Sequence, residues 1–309
     1  MLGTLDCVNL TDAIASGDIV VLDGGLATEL ERRGNDLSTA LWSARLVEDE
    51  PGEIVAAHRA FADAGAQVAI TASYQAPPDA TTLLLRSVAL AREAQPGWVA
   101  ASVGPYGAVR ADGSEYRGDY GLSVRELRAF HRPRLAVLAE SGADVLAVET
   151  IPCLAEVEAL LAELERLSVP AWLSLTCAGV KTRAGEPARD AFGMARDCAA
   201  VFAVGVNCVA PADARDLVEL AVDASGKPAV VYPNSGETWD GAWHGRAAFD
   251  PDDVTSWIEA GARLVGGCCR VTPGDIAATV GNVSESTGSG LERGRRRAQS
   301  GSAEPAERP

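Results

Sequence analysis

The run Asp144-Val145-Leu146-Ala147-Val148, closed by Glu149-Thr150, decides the fold. Its apolar residues are continuous rather than alternating, which suits a strand buried on both faces. Such strands belong to parallel sheets covered by helices. Seven other runs read the same way: Ile19–Leu22, Gln67–Thr71, Trp98–Val103, Ala171–Leu175, Phe202–Val206, Ala229–Tyr232 and Arg263–Val265. Helix signals lie between them. Pro51 opens a stretch with Ile54, Ala57, His58 and Phe61 at helical spacing, closed by Gly65. Ser123 with Glu126 reads as a capping box, and Thr272-Pro273 as N-cap and first turn of a last helix.

Eight strand–helix units of roughly 30 residues fit a (β/α)8 TIM barrel in a single domain. A doubly wound open sheet shows the same alternation. No strand is followed by G-x-G-x-x-G, so its dinucleotide-binding version has no support. No linker interrupts residues 1–283. The remaining segment, 284–309, is rich in Ser, Gly, Arg, Glu and Pro and reads as a disordered tail.

Composition narrows the function. With 309 residues, 47% hydrophobic and 23% charged, the chain has a globular profile. A formal charge of −16 argues against nucleic acid as partner and tolerates cationic small molecules. No export signal or membrane-length apolar stretch is legible, and the 7 cysteines are odd in number. Together these predict reduced thiols, a cytoplasmic location and no membrane partner. A monomer or small homo-oligomer is expected.

In a barrel, function gathers at the carboxyl ends of the strands. Cys208, Cys268 and Cys269 fall there, and three thiolates with a vacant fourth position suit tetrahedral Zn2+. Adjacent residues of a regular strand face opposite ways, so Cys268 and Cys269 can share a metal only if the chain bends, which Gly266-Gly267 permits. Buried apolar thiols are the bland alternative, and Cys153 and Cys177 lie near the same rim, so spacing alone does not select the three. Asp23 and Glu149 each follow an apolar strand, a costly place for a carboxylate unless it meets a cation. They read as a clamp for a substrate ammonium group, or as a cap and an internal ion pair. Trp42, Trp239 and Trp243 lie in rim-side loops, where indole faces hold cations or simply pack. His58 and His131 read as packing or capping residues. No histidine ends a strand, so no nucleophile–histidine pair is legible.

The chain resembles the homocysteine S-methyltransferases, cobalamin-independent enzymes that make methionine from homocysteine and S-methylmethionine or S-adenosylmethionine. The resemblance rests on Leu22-Asp23-Gly24-Gly25-Leu26-Ala27-Thr28-Glu29-Leu30, Leu41-Trp42-Ser43-Ala44, Ala69-Ile70-Thr71-Ala72-Ser73-Tyr74-Gln75 and Ser102-Val103-Gly104-Pro105-Tyr106-Gly107. It continues through Asp112–Gly118, Phe130–Arg134, Gly205-Val206-Asn207-Cys208, Val231–Glu237 and Gly266-Gly267-Cys268-Cys269-Arg270, and spans nearly all of residues 19–281. It implies a zinc-dependent (β/α)8 barrel with Cys208, Cys268 and Cys269 as zinc ligands. It further implies Asp23 and Glu149 as partners of the homocysteine amino group, and Gly24, Gly25 and Thr71 as donors to its carboxylate. Trp42 resembles the aromatic bordering the donor pocket of related betaine-using enzymes, and Asn234 lies in a matching motif as a further substrate contact. Betaine as donor, selenohomocysteine as acceptor, and a non-catalytic zinc-buffering or redox barrel are the alternatives. One departure stands out: Gln75-Ala76-Pro77-Pro78-Asp79 runs almost directly into a helix, where family members often carry a longer insertion over the pocket. The Trp-bearing loop Thr238–Arg246 is the candidate to compensate.

Overall fold

The eight apolar runs form eight parallel strands: β1 Val20–Val21, β2 Val68–Ile70, β3 Trp98–Val103, β4 Val145–Ile151, β5 Ala171–Leu175, β6 Val201–Asn207, β7 Ala229–Tyr232 and β8 Ala262–Val265. In the computed structural model, residues 8–37, 42–239 and 243–300 are described, with 42–44, 238–239 and 287–300 as backbone only. Neighbouring strands pair in parallel from β2 round to β8, and β8 pairs with β1. A bridge between Leu22 and Val68 joins β1 to β2 and closes the cylinder. The TIM-barrel expectation is met, and the open-sheet alternative falls because no edge strand remains.

The period of two explains how continuous apolar strands serve two layers. Val20, Leu22, Val68, Ala100, Val145, Ala147, Trp172, Ala203, Val230 and Leu264 face inward and form one buried cluster. Their neighbours Val21, Ala69, Val99, Leu146, Val148, Leu173 and Val204 face outward and pack in a second cluster with the surrounding helices. Leu10 and Ile14 of the first helix, Leu10–Ala15, join the inner cluster.

Helix boundaries follow the sequence signals. Pro51 stands at the start of the helix Pro51–Asp63. Ser123 and Glu126 form the reciprocal capping box of Val124–Ala139. Thr272 Oγ1 donates to Asp275 Oδ2 at 2.8 Å at the head of the last helix, Pro273–Ser300. That helix runs past residue 283, where the sequence places the end of the barrel, and residues 301–309 lie outside the described residues. The segment after β2 is short as expected, with its helix starting at Thr81. Among the described residues no helix is long and apolar enough to cross a membrane.

Candidate active site

The inward register that fills the barrel with apolar side chains turns polar in its last layer. Ser102, Glu149, Ser174, Asn207 and Tyr232 continue the inward positions of β3, β4, β5, β6 and β7, and all are buried. They form two hydrogen-bonded groups. Trp172 Nε1 donates to Tyr232 Oη at 3.0 Å, and Tyr232 Oη donates to Glu149 Oε2 at 3.0 Å. Ser102 Oγ donates to Glu149 Oε1 in a short bond. Asn207 Oδ1 accepts from Thr150 N at 2.7 Å and from Ser174 Oγ at 2.8 Å, while its Nδ2 donates to Thr150 Oγ1 at 2.7 Å.

These groups hold a distorted rim. The β4–β5 register shifts between Val148 and Ile151, and Thr150 there has φ +61°. Cys208 and Arg270, at the ends of β6 and β8, have φ +50° and +67°. A left-handed conformation is rare for residues with a Cβ, rarest for β-branched ones, and persists only where its surroundings impose it. Three such residues on one rim mark the place where backbone strain is spent on aiming side chains.

Three sulfurs converge there. Cys208, Cys268 and Cys269 Sγ all lie within 4.8 Å of one another. Cys208 Sγ is 2.7 Å from Cys268 Sγ and 3.9 Å from Cys269 Sγ. β8 ends at Val265, so the two adjacent cysteines sit in a loop where strand alternation no longer applies. The glycines before them serve a different purpose from the expected one. Neither has a positive φ. Instead a Cβ on Gly267 would lie 2.1 Å from Val271 Cγ1, and one on Gly266 2.7 Å from Leu22 Cβ, so glycine supplies room rather than a left-handed turn. Backbone bonds tie this loop to its neighbours: Cys268 N donates to Pro233 O, Ser235 N to Cys269 O, Gly267 N to Asp23 O and Gly25 N to Val271 O.

The sulfurs fit a metal. Hydrogen bonds from Cys268 and Cys269 hold the Cys208 thiol well below its ordinary range, and Cys208 in turn pushes Cys268 and Cys269 up. Ionising one sulfur thus disfavours ionising the other two, and a cation is what would let all three ionise together. Sulfurs on a tetrahedral ion with bonds of about 2.3 Å lie about 3.8 Å apart. The Cys208–Cys269 pair already has that spacing; the Cys208–Cys268 pair would open by about 1 Å. Cys153 and Cys177, the rim alternatives, stay outside the cluster, and burial pushes each up to about 12.

Beside the sulfurs are the two carboxylates. Asp23 is 1% exposed. Its Oδ2 accepts from Ile70 N at 2.8 Å, and its Oδ1 is buried with no partner. Burial pushes Asp23 well up, the Ile70 amide opposes, and the charge of Glu149 raises it further. Burial likewise pushes Glu149 up to about 7 against the bonds from Ser102 and Tyr232. Two buried acids, one of them raised by the other and left with an orphaned oxygen, have the chemistry to receive a cation. His58 Nδ1 lies 3.9 Å from Asp23 Oδ2, but burial drives His58 down to about 4, so it is neutral at pH 7 and cannot neutralise the acid.

The other expected substrate contacts divide. A Cβ on Gly25 would lie 2.7 Å from Cys268 O and one on Gly24 2.7 Å from Val271 O, so this turn needs glycine to reach the cysteine loop. Thr71 is buried, and its hydroxyl is committed. Ser73 Oγ donates to Ser102 O, so the proton between Thr71 Oγ1 and Ser73 Oγ comes from Thr71, while Ser102 N donates to Thr71 Oγ1. Asn234 Oδ1 accepts from Cys269 N at 3.1 Å, which places it behind the sulfur cluster as a support for the cysteine loop. The Trp42 side chain lies outside the described residues, as does that of Trp239. Trp243 lies under the Arg270 guanidinium, 5.8 Å from its ring centroid. Ser102, Tyr232, Asn207 and Tyr116, whose hydroxyl lies 4.0 Å from Cys208 Sγ, are site residues that the sequence reading did not single out.

The family model described as homocysteine S-methyltransferase matches residues 20–283. This chain belongs to the homocysteine S-methyltransferase family. It is 43% identical over 291 residues to the homocysteine S-methyltransferase of Escherichia coli, covering 84% of this chain and 94% of that one. It is 43% identical over 310 residues to homocysteine S-methyltransferase 4 of Zea mays, covering 87% and 91%. Among solved structures, the homocysteine methyltransferase MmuM of Escherichia coli in its metallated form superposes with a TM-score of 0.77 at 42% identity, over 86% of this chain and 96% of that one. Its oxidized form gives 0.79 at 42% identity, over 87% and 97%. A family whose relative is known in a metallated form accords with a cysteine trio poised for a cation.

Proposed function

We propose that this chain is a homocysteine S-methyltransferase that uses Zn2+ and a sulfonium donor, S-methylmethionine or S-adenosylmethionine, to make methionine. The observation that carries the reading is the juxtaposition of three metal-competent sulfurs with a buried acid pair whose Asp23 Oδ1 has no partner. Cys208, Cys268 and Cys269 would hold the zinc, which would supply the positive charge that keeps the homocysteine sulfur ionised at neutral pH.

The chain's own residues supply the rest. Asp23 and Glu149 take the homocysteine ammonium, which offsets the burial that raises both acids and the Glu149 charge that raises Asp23. Tyr232 and Ser102 hold the Glu149 carboxylate in place before substrate arrives, so little ordering is left to pay for on binding. The thiolate's electron pair forms the new sulfur–carbon bond. The donor's carbon–sulfur bond breaks, its pair stays on the donor sulfur, and a neutral thioether leaves. The thiol proton has already gone to solvent, so no general base is needed, which agrees with the absence of an ionisable histidine beside the described sulfurs. Opposite charges cancel as the reaction proceeds, so a dry site favours it. The net charge of −16 draws the cationic donor. The thiols must be reduced to act, which supports a cytoplasmic location.

The test offers homocysteine and, separately, S-methylmethionine, S-adenosylmethionine and betaine to zinc-replete protein. Methionine is expected from a sulfonium donor, and none from any donor would sink the assignment. Asp23→Ala is expected to abolish turnover with zinc content intact. A zinc-buffering barrel needs no amino-acid clamp, so full metal function without any effect of Asp23 on homocysteine binding would favour that alternative.

A further inference from the structure

Arg183 lies on the same rim and has no role in the chemistry above. It follows the short hairpin Cys177–Ala178/Lys181–Thr182 after β5. Its Nε donates to Thr176 Oγ1 at 3.2 Å and its Nη2 points at Cys208 O at 3.5 Å. Its guanidinium carbon lies 5.7 Å from the ring centroid of Tyr116, whose hydroxyl contacts Cys208 Sγ. The cation therefore sits within one aromatic ring of the sulfur cluster, and it is half-buried.

A positive charge beside a site built for cations needs a reason. The carboxylates of Glu186 on its own loop and Asp213 after β6 make their hydrogen bonds to other groups. Glu186 Oε2 accepts from Leu154 N at 2.8 Å and Thr182 Oγ1 at 2.9 Å. Asp213 Oδ2 accepts from Gly179 N at 3.3 Å. Among the described residues Arg183 has no carboxylate within ion-pair distance, whereas Arg270, its counterpart at the end of β8, is paired with Glu237 at 2.8 Å. Nor is Arg183 a loose surface arginine. The backbone on either side of it is pinned by Thr182 N to Glu186 O and Ala184 N to Pro152 O, and its side chain is held by Thr176 and the Tyr116 ring.

Position says which ligand. The proposed homocysteine carboxylate donors lie at the ends of β1 and β2, while Arg183 stands between β5 and β6, opposite that pair and on the far side of Glu149 on β4. In-line attack places the donor sulfur on the far side of the methyl from the homocysteine sulfur. The sulfonium donors have two cationic centres and a single anionic group, the α-carboxylate, and in a chain of charge −16 that group needs a cation to receive it. Resting on the methyltransferase reading, we propose that Arg183 binds the α-carboxylate of the methyl donor and selects sulfonium donors that carry an amino-acid group.

The test compares S-methylmethionine with its α-carboxamide, which keeps the sulfonium and lacks the anion. Calorimetry measures their binding to zinc-loaded wild type, Arg183→Ala and Arg183→Lys, with melting temperature and zinc content as controls. Wild type is expected to bind S-methylmethionine roughly ten- to a hundred-fold tighter than the carboxamide, the size of a hydrogen bond between charged groups. Arg183→Ala is expected to lose that preference while binding the carboxamide like wild type, and Arg183→Lys to restore part of it. In turnover, the loss falls on the donor KM, with the homocysteine KM unchanged. A wild type indifferent to the carboxylate, equal losses for both ligands in Arg183→Ala, or a rise in homocysteine KM instead would overturn the proposal. Binding preference with no methionine formed would spare Arg183 and sink the transferase reading.

Discussion

Glu149 carries the pH dependence of the site. Burial raises it to about 7, so in the free enzyme it is largely neutral below that pH and charged above it. Only the charged form attracts the homocysteine ammonium. kcat/KM for homocysteine is therefore expected to fall about ten-fold per pH unit below about 7. Glu149→Gln should lower kcat/KM roughly a hundred-fold, the scale of breaking a buried charge pair, and flatten that acid limb. A pH–rate profile of the variant that kept the wild-type limb would assign the titration to another group. At this scale the two acids were legible in sequence and the hydroxyl and amide groups that hold the rim were not. Asp23 and Glu149 stand out because a carboxylate ending an apolar run has no cheap structural excuse. Ser102, Tyr232 and Asn207 carry no such signal singly, since hydroxyls and amides are common. Counting inward positions along each strand would have found them, because 102, 149, 174, 207 and 232 continue the register of the apolar interior.

At the scale of elements, the joint between β4 and β6 does the aiming. Asn207 binds Thr150 through both backbone and side chain, and it adjoins Cys208 in the chain. One amide thus fixes the turn after Glu149 and the approach to a metal ligand. Asn207→Ala would leave Thr150 N and Ser174 Oγ buried without their acceptor and release the left-handed Thr150. A loss of about 3 kcal/mol is expected in urea unfolding, with Ser174→Ala costing about 1 kcal/mol. An Asn207→Ala loss no larger than that of Ser174→Ala would mean that the joint does not hold the turn. The strands themselves were readable from continuous apolar runs. The geometry of their ends was not, because the bulge at Thr150 and the left-handed Cys208 arise from packing between distant strands rather than from local residue preference. The same holds for Gly266-Gly267, whose presence was legible but whose purpose, room for Val271 and Leu22, depends on a neighbour only the closed barrel brings near.

The whole molecule determines what metal removal can do. In a zinc finger the ion supplies the folding energy, so the metal-free chain unfolds. Here the inner and outer clusters of the barrel are apolar, and of the three cysteines only Cys268 packs against them. The three loops that carry Asp23, Asn234 and the Cys268-Cys269 pair are cross-tied by their own backbone bonds. The cysteines are therefore expected to keep their places when the ion leaves. Stability should fall only by the binding linkage, about 4 kcal/mol when the free ion stands at a thousand times its dissociation constant. For a domain this large that is roughly 10 °C in melting temperature. Chelation is thus expected to leave far-UV circular dichroism and cooperative unfolding intact while lowering the melting temperature by about that amount, and re-addition of zinc should restore it. A chelated chain that lost its secondary structure would show that the barrel depends on its metal, and the reading of a preformed cysteine rim would have to be abandoned.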